Sequence, residues 1–298
     1  QQREALKQIL ENGPLSLLQG PPGTGKTEFI AAFVHHLIEK QNVNNILLVS
    51  QSHEAVNTAA ERIRKHCNKL KTTLDVVRFS NSEKVVSQGL KDVYSNALVT
   101  EKRELFRAEI EYRVAELNQA LGLPADYLSE RIRIELKLFD KVDKLIALMG
   151  SDSSNEDKKE QAAVKKLSKL LANTIESELE DNYELKFSFE TLEQLKQNLL
   201  REIEQKYAIG PYEAKKANAL IKISMDMLNV LETERVNYDE FFARSRQLVT
   251  GTCVGIGQWH IGIAENQYDW VIIDEAARSI ASELAIAMQS GRRVLLVG

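Results

Sequence analysis

The octapeptide Gly20-Pro21-Pro22-Gly23-Thr24-Gly25-Lys26-Thr27 constrains this chain more than any other stretch. It satisfies the pattern G-x-x-x-x-G-K-[ST]. Before it runs an apolar segment, Leu15 to Gln19; after it, from Thr27 to Lys40, Phe29, Ile30, Phe33, Val34 and Leu37 recur at helical spacing. Strand, glycine-rich turn and helix in that order let successive backbone N–H groups curl around an anion, and the helix N-terminus adds roughly half a positive charge. Such a nest suits the phosphates of a nucleoside triphosphate. Lys26 is expected to reach the β and γ phosphates and the Thr27 hydroxyl to ligate Mg²⁺, with Gly20, Pro22, Gly23, Thr24 and Gly25 completing the cradle.

Far downstream, Trp270-Val271-Ile272-Ile273 forms an apolar run that ends in Asp274-Glu275. If that run is a strand of the same parallel sheet, both carboxylates emerge at the edge where the phosphate loop lies. Phosphoryl transfer to water needs a metal-holding carboxylate and a base on one side of the γ phosphate. Asp274 is the expected Mg²⁺ ligand and Glu275 the group that orients and deprotonates the water, a Walker B pair beside a Walker A loop.

Further short apolar runs at Ile46–Val49, Leu74–Phe79, Leu248–Thr250 and Val294–Val297 read as strands covered on both faces. The expected fold is α/β: a P-loop NTPase with a parallel sheet flanked by helices and a long, predominantly helical insertion, a sheet that the family resemblance given below implies to be RecA-like. Residues 1–80 and 244–298 would form the nucleotide-binding domain, and residues 81–243 the insertion, a stalk or accessory subdomain. In the insertion three stripes keep helical spacing: Leu105, Ile110, Val114, Leu117 and Leu121; Val164, Leu167, Leu171, Ile175 and Leu179; Leu192, Leu195, Leu199 and Ile203. Bundle packing is their ordinary use. Ser151 to Lys159 reads as an exposed loop tip, and the alternation of Tyr183, Leu185, Phe187 and Phe189 permits one short strand. The sequence starts without Met and stops at Gly298, directly after the strand-like run Val294–Val297, so a piece cut from a longer protein is the expectation.

Composition narrows the function classes. Lys and Arg number 39 against 43 Asp and Glu, so no global basic field advertises nucleic-acid binding and any such contact must be local. Cys67 and Cys253 stand far apart, which excludes a disulfide framework and supports a reducing compartment, cytoplasmic or nuclear; His66 beside Cys67 reads as a helix-surface neighbour. No run is long and apolar enough to span a membrane. Core packing is the expectation for Tyr94, Tyr112, Trp259 and Trp270, and solvated helix faces for Lys215-Lys216 and for Arg244 with Arg246.

Together these blocks resemble superfamily 1 helicases, in the group that holds the nonsense-mediated-decay helicase and senataxin-like helicases. Gly20–Thr27 is similar to motif I, and Asp274-Glu275-Ala276-Ala277 to motif II, although Arg278 stands where the family often has Gln. Gln2 resembles the upstream glutamine that recognises adenine, which implies ATP. Leu47 to Asn57 resembles motif Ia, with His53 where the family usually has Asn, and Val249 to Gly255 resembles the Thr-rich block before motif II. The resemblance implies contacts from Gln51, Ser52, His53, Thr250 and Thr252 to the backbone of single-stranded RNA or DNA. It also implies movement 5′ to 3′, and slow hydrolysis without the arginine of a second RecA-like domain. An ATP-gated scaffold whose helical arm binds a protein partner is the rival expectation; a P-loop kinase would need an acceptor lid that the sequence does not offer.

Overall fold

The computed structural model describes residues 2–21, 23–124, 126–150, 158–178, 189–232 and 238–298. They gather into two compact units, one from residues 1–102 and 234–298, the other from residues 103–233. In the first, strands β1 (Leu15–Leu18), β2 (Ile46–Ser50), β3 (Val76–Arg78), β4 (Leu248–Thr252), β5 (Tyr268–Asp274) and β6 (Gly291–Val297) form one sheet in the order β1-β6-β5-β2-β4-β3. Every pairing is parallel, and all the apolar runs read as strands are strands. The sheet is RecA-like. Parallel neighbours require crossovers, which here include α2 (Lys26–Gln41) and α3 (His53–Lys69), while α1 (Gln2–Glu11) precedes β1.

Because helices cover the sheet, β2 and β4 are buried at all five positions each, which is why they read as unbroken apolar runs rather than alternating ones. From α2, Ile30, Phe33, Val34 and Leu37 enter the core with Ile46, Leu48, Trp270, Ile272 and Leu295. Phe33 meets Trp270 edge to face at 5.0 Å. Trp270 and Tyr94 are core residues, as expected; Tyr112 and Trp259 are not, standing 63% and 89% exposed. Cys67 is fully buried in this core, and His66 beside it is half-buried.

The second unit takes up most of α4 (Ser95–Glu116) and is then helical: α5 (Asn118–Leu121), α6 (Tyr127–Ile134), α7 (Asp140–Gly150), α8 (Lys158–Glu178), α9 (Phe189–Lys206) and α10 (Pro211–Glu232). Two apolar clusters hold it. One joins Ile110, Val114, Leu128, Ile132, Ile203 and Ile221; the other joins Phe139, Val142, Leu171, Ile175, Leu192 and Leu199. A π-helical turn at Glu135–Phe139 rotates the stripe between them, so that Leu136 packs in the first and Leu138 in the second. The stripe read through α4 is corrected at two positions: Leu117, just past the helix, is exposed, and so is Leu105, in whose place Phe106 packs with Ile110 and Val114. Five residues separate Leu105 from Ile110, roughly 140° around a helix, whereas four separate Phe106 from Ile110.

Pro22, Ser151 to Asp157, Leu179, Tyr183, Leu185 and Phe187 lie outside the described residues. Lys158 and Lys159, expected in a loop tip, open α8, and Phe189, expected in a strand, opens α9. Back in the sheet unit, α11 (Tyr238–Ser245) precedes β4, α12 (Cys253–Ile256) follows it, and α13 (Ala281–Met288) lies between β5 and β6. Among the described residues no helix is long and apolar enough to cross a membrane.

Candidate active site

The loop between β1 and α2 is held closed by its own side chains. Lys26 donates from Nζ to the Gly20 carbonyl at 2.5 Å and to the Pro21 carbonyl at 3.2 Å, and the Thr24 hydroxyl donates to the Pro21 carbonyl at 2.8 Å. Gly23 and Gly25 adopt φ of 79° and 83°, the left-handed region that costs other L-residues roughly 1–2 kcal/mol. That conformation turns the chain into α2 with Gly25 as its N-cap and with no side-chain cap, which leaves the first N–H groups of α2 for a ligand. Gln2 lies against the same turn: a β-carbon on Gly25 would stand 3.5 Å from its amide nitrogen.

Register brings the acidic pair to this edge. Ser50 is level with Asp274 on one side and with Thr252 on the other, so β2, β4 and β5 end together. Asp274 is 7% exposed and accepts from the Glu275 N–H at 3.0 Å. Burial raises its pKa above the ordinary carboxylate range and the neighbouring Glu275 adds to this, while the Glu275 N–H and the Lys26 charge oppose it. Glu275 takes the left-handed conformation at φ 53°, a strained one for a branched-off side chain of this size. The 3₁₀ turn Ala276–Arg278 that follows folds Arg278 back, and its Nη1 donates to Glu275 Oε1 at 3.0 Å. The other oxygen, Oε2, is buried and has no hydrogen-bond partner among the described residues.

Thr27, Ser52, Glu54, Thr58, Asp274, Glu275 and Arg278 line one polar cleft of about 320 Å³. A hydroxyl and a carboxylate converging there are hard oxygen donors of the kind Mg²⁺ takes, and a carboxylate destabilised by burial gains most from a cation. The donor set therefore fits the metal. A second, more apolar cleft beside it is lined by Leu17, Gln19, Ala276, Leu284 and Gly298.

The residues expected to touch a nucleic-acid strand divide. Gln51 and Ser52 are exposed and His53 is half-buried at the start of α3, where the Ser52 hydroxyl accepts from the Ala55 N–H at 3.1 Å as N-cap. Thr252 plays the same part for α12, accepting from the Gly255 N–H at 3.0 Å. Thr250 is different: it is fully buried, and its hydroxyl donates to the Val77 carbonyl at 3.1 Å. Its side chain works inside the sheet.

Two residues of this edge escaped the sequence reading. Arg78 is fully buried, and Asn57 is nearly so; they bond each other at 3.0 Å. The signal was present in the form of a cation inside the apolar run Leu74–Phe79, a position where burial needs explaining. Arg244 and Arg246 are tied to Glu240, Glu265 and Asp75.

A family model described as an AAA domain, AAA_11, matches residues 1–298. Among curated proteins, Regulator of nonsense transcripts 1 of Caenorhabditis elegans is 49% identical over 77 residues, 26% of this chain and 6% of that protein. ATP-dependent helicase upf1 of Schizosaccharomyces pombe is 42% identical over 82 residues, 26% of this chain and 8% of that protein. ATP-dependent helicase NAM7 of Saccharomyces cerevisiae is 44% identical over 63 residues, 21% of this chain and 6% of that protein. The matched stretches thus span less than a tenth of the length of these relatives.

Proposed function

The chain belongs to the AAA_11 family of AAA domains and carries the motifs of the nonsense-mediated-decay group of superfamily 1 helicases, and on that premise we propose that it is the ATP-binding unit of an intracellular helicase or translocase on single-stranded RNA or DNA, moving 5′ to 3′. The observation that carries this reading is the convergence of Thr27, Asp274, Glu275 and Ser52 on one cleft at the C-terminal edge of a parallel sheet. Nucleotide and strand sites there share the β2 turn.

ATP is held by the Gly20–Thr27 loop, with Gln2 at the adenine side. Lys26 leaves the Gly20 and Pro21 carbonyls for the phosphates. Thr27 and Asp274 would hold Mg²⁺, which when bound would supply neutralisation of the charge that develops on the phosphates. Glu275 accepts the proton of the attacking water at Oε2, while Arg278 keeps Oε1 occupied and the carboxylate oriented. Gln51, Ser52, His53 and the Thr252 turn meet strand phosphates, which positions a strand without reading its bases. Thr250 contributes through its place in β4. A second reading, an ATP-gated scaffold, is favoured by one observation: Ile223, Met227 and Val230 on α10 are each more than half exposed, an apolar stripe at helical spacing.

The test is ATP binding and turnover by these 298 residues with and without oligo(U) and oligo(dT), with Lys26→Ala and Glu275→Gln as controls. Binding with slow turnover is expected, since a transition-state arginine from a partner domain is worth about 10³ to 10⁵ in rate. Lys26→Ala abolishes binding; Glu275→Gln retains it and lowers turnover by roughly 10² to 10⁴. ATP affinity indifferent to either oligonucleotide, with neither bound, would remove the helicase reading and leave the scaffold.

A further inference from the structure

Arg78 has no exposed surface, yet no carboxylate pairs with it among the described residues. Its partners are all neutral. Nε donates to Asn57 Oδ1 at 3.0 Å, Nη1 donates to the Phe79 carbonyl, and Nη2 lies 3.1 Å from His53 Nδ1. Burying an unneutralised charge costs several kcal/mol, so a fold that keeps one has a use for it or compensates it fully.

The hydrogen-bond inventory fixes the direction of each contact. Asn57 Nδ2 donates to the Val85 carbonyl at 2.8 Å, which leaves its oxygen for Arg78 and settles the orientation of the amide. A guanidinium has only donors, so His53 Nδ1 must accept. An imidazole that accepts at Nδ1 carries its single proton on Nε2 and is uncharged. His53 opens α3 immediately after the exposed Gln51 and Ser52, on the edge where β2 and β4 end.

Resting on the strand-binding reading, we propose that Arg78 is a positioning residue that locks His53 as a neutral imidazole with its one N–H at Nε2, offered to a backbone phosphate of a bound single strand. The contact is a hydrogen bond rather than an ion pair. Protonating His53 would set a second cation against Arg78 and break the Nη2 contact. Burial and the Arg78 charge both push the His53 pKa down, in that order of importance. Among the described residues Arg78, from β3, is the charged group that acts on His53; Tyr94 beside Arg78 stays a neutral phenol, since burial raises it.

The lock has two readouts that a merely structural role would leave alone. In the whole chain labelled with ¹⁵N at histidine, His53 is expected to show the Nε2–H tautomer and to remain neutral as the pH falls from 8 to 6. Oligo(U) or oligo(dT) affinity, followed by fluorescence anisotropy, is expected to be flat over that range for the contact made by His53. In Arg78→Met the tautomer is released and affinity grows as the pH falls through about 6.5, with the salt dependence steepened by roughly 0.7 in log–log slope for one added ionic contact. His53→Asn can still accept from Arg78 and donate outward, so it keeps affinity within about twofold, while His53→Ala loses about fivefold. Should Arg78→Met not fold, the spectrum of the unmutated chain and the Asn/Ala pair decide the matter.

An Nδ1–H tautomer, or ordinary titration of His53 near 6.5, overturns the lock whatever the binding data show. Equal affinity of His53→Ala and the unmutated chain overturns its role at the strand. If neither oligonucleotide binds the unmutated chain, the strand reading itself falls, and the histidine spectrum still reports separately on the Arg78–His53 pair.

Discussion

Asp274 answers two opposed demands at a single carboxylate. Its folded pKa lies above the unfolded one, so its ionised form destabilises the fold, a penalty present above the folded pKa and removed as the pH falls through it. Asp274→Asn deletes the buried charge, and the amide oxygen can still accept from the Glu275 N–H. Without metal, that variant is expected to melt roughly 1–3 °C higher than the unmutated chain at neutral pH. It should lose the further gain that Mg·ATP gives the unmutated chain. Calorimetry with and without Mg·ATP checks both signs, and a lower metal-free melting point would mean that Asp274 holds the structure together rather than straining it. At this scale the sequence was most legible where chemistry demands particular residues in order: Lys26, Thr27, Asp274 and Glu275 stand where the motif spacing put them. It was least legible where a side chain's use depends on its neighbours. Thr250 and Thr252 look alike in sequence, but one hydroxyl faces a strand carbonyl inside the sheet and the other caps a helix.

At the scale of elements, strands were easy to read because both faces of the sheet are covered and apolar runs need no alternation to be recognised. Helix faces were harder, since a stripe can be threaded through Leu105 or through Phe106 and only packing decides between them. Gly251 shows a constraint that no pattern exposes. It sits mid-strand in β4, and a β-carbon there would come within 2.3 Å of Ile256 Cγ2, on the helix α12 that β4 leads into. Ile256 is fully buried and cannot swing away. Gly251→Ala is therefore expected to cost about 1–3 kcal/mol. Ile256→Ala, which leaves a cavity, should cost about 2–5 kcal/mol on its own. The double variant should be more stable than the sum of the two by roughly 1 kcal/mol, because the added methyl occupies space the isoleucine vacates. Denaturant titration of all three measures the coupling, and strict additivity would show that α12 moves aside to admit the methyl.

At the scale of the whole molecule, each unit has its own apolar cores, so each can respond to a ligand separately. The P-loop, the Walker B pair and the turn after β2 all belong to the sheet unit. Binding of Mg·ATP at about 100 times its dissociation constant stabilises the bound form by roughly 2.7 kcal/mol, which slows amide exchange about a hundredfold in any segment that must open the site in order to exchange. Protection is expected in α2, at the C-terminal ends of β2 and β5, and at the start of α3. In α8 to α10 exchange should be unchanged. Lys26→Ala should abolish the effect throughout. Protection that appears also in α9 or α10 would mean that nucleotide binding reaches the helical unit, and the exposed stripe Ile223, Met227 and Val230 would then be the first surface to examine for an ATP-dependent change. Exchange of the same chain with and without ligand thus separates a helical unit that only accompanies the nucleotide site from one that ATP controls.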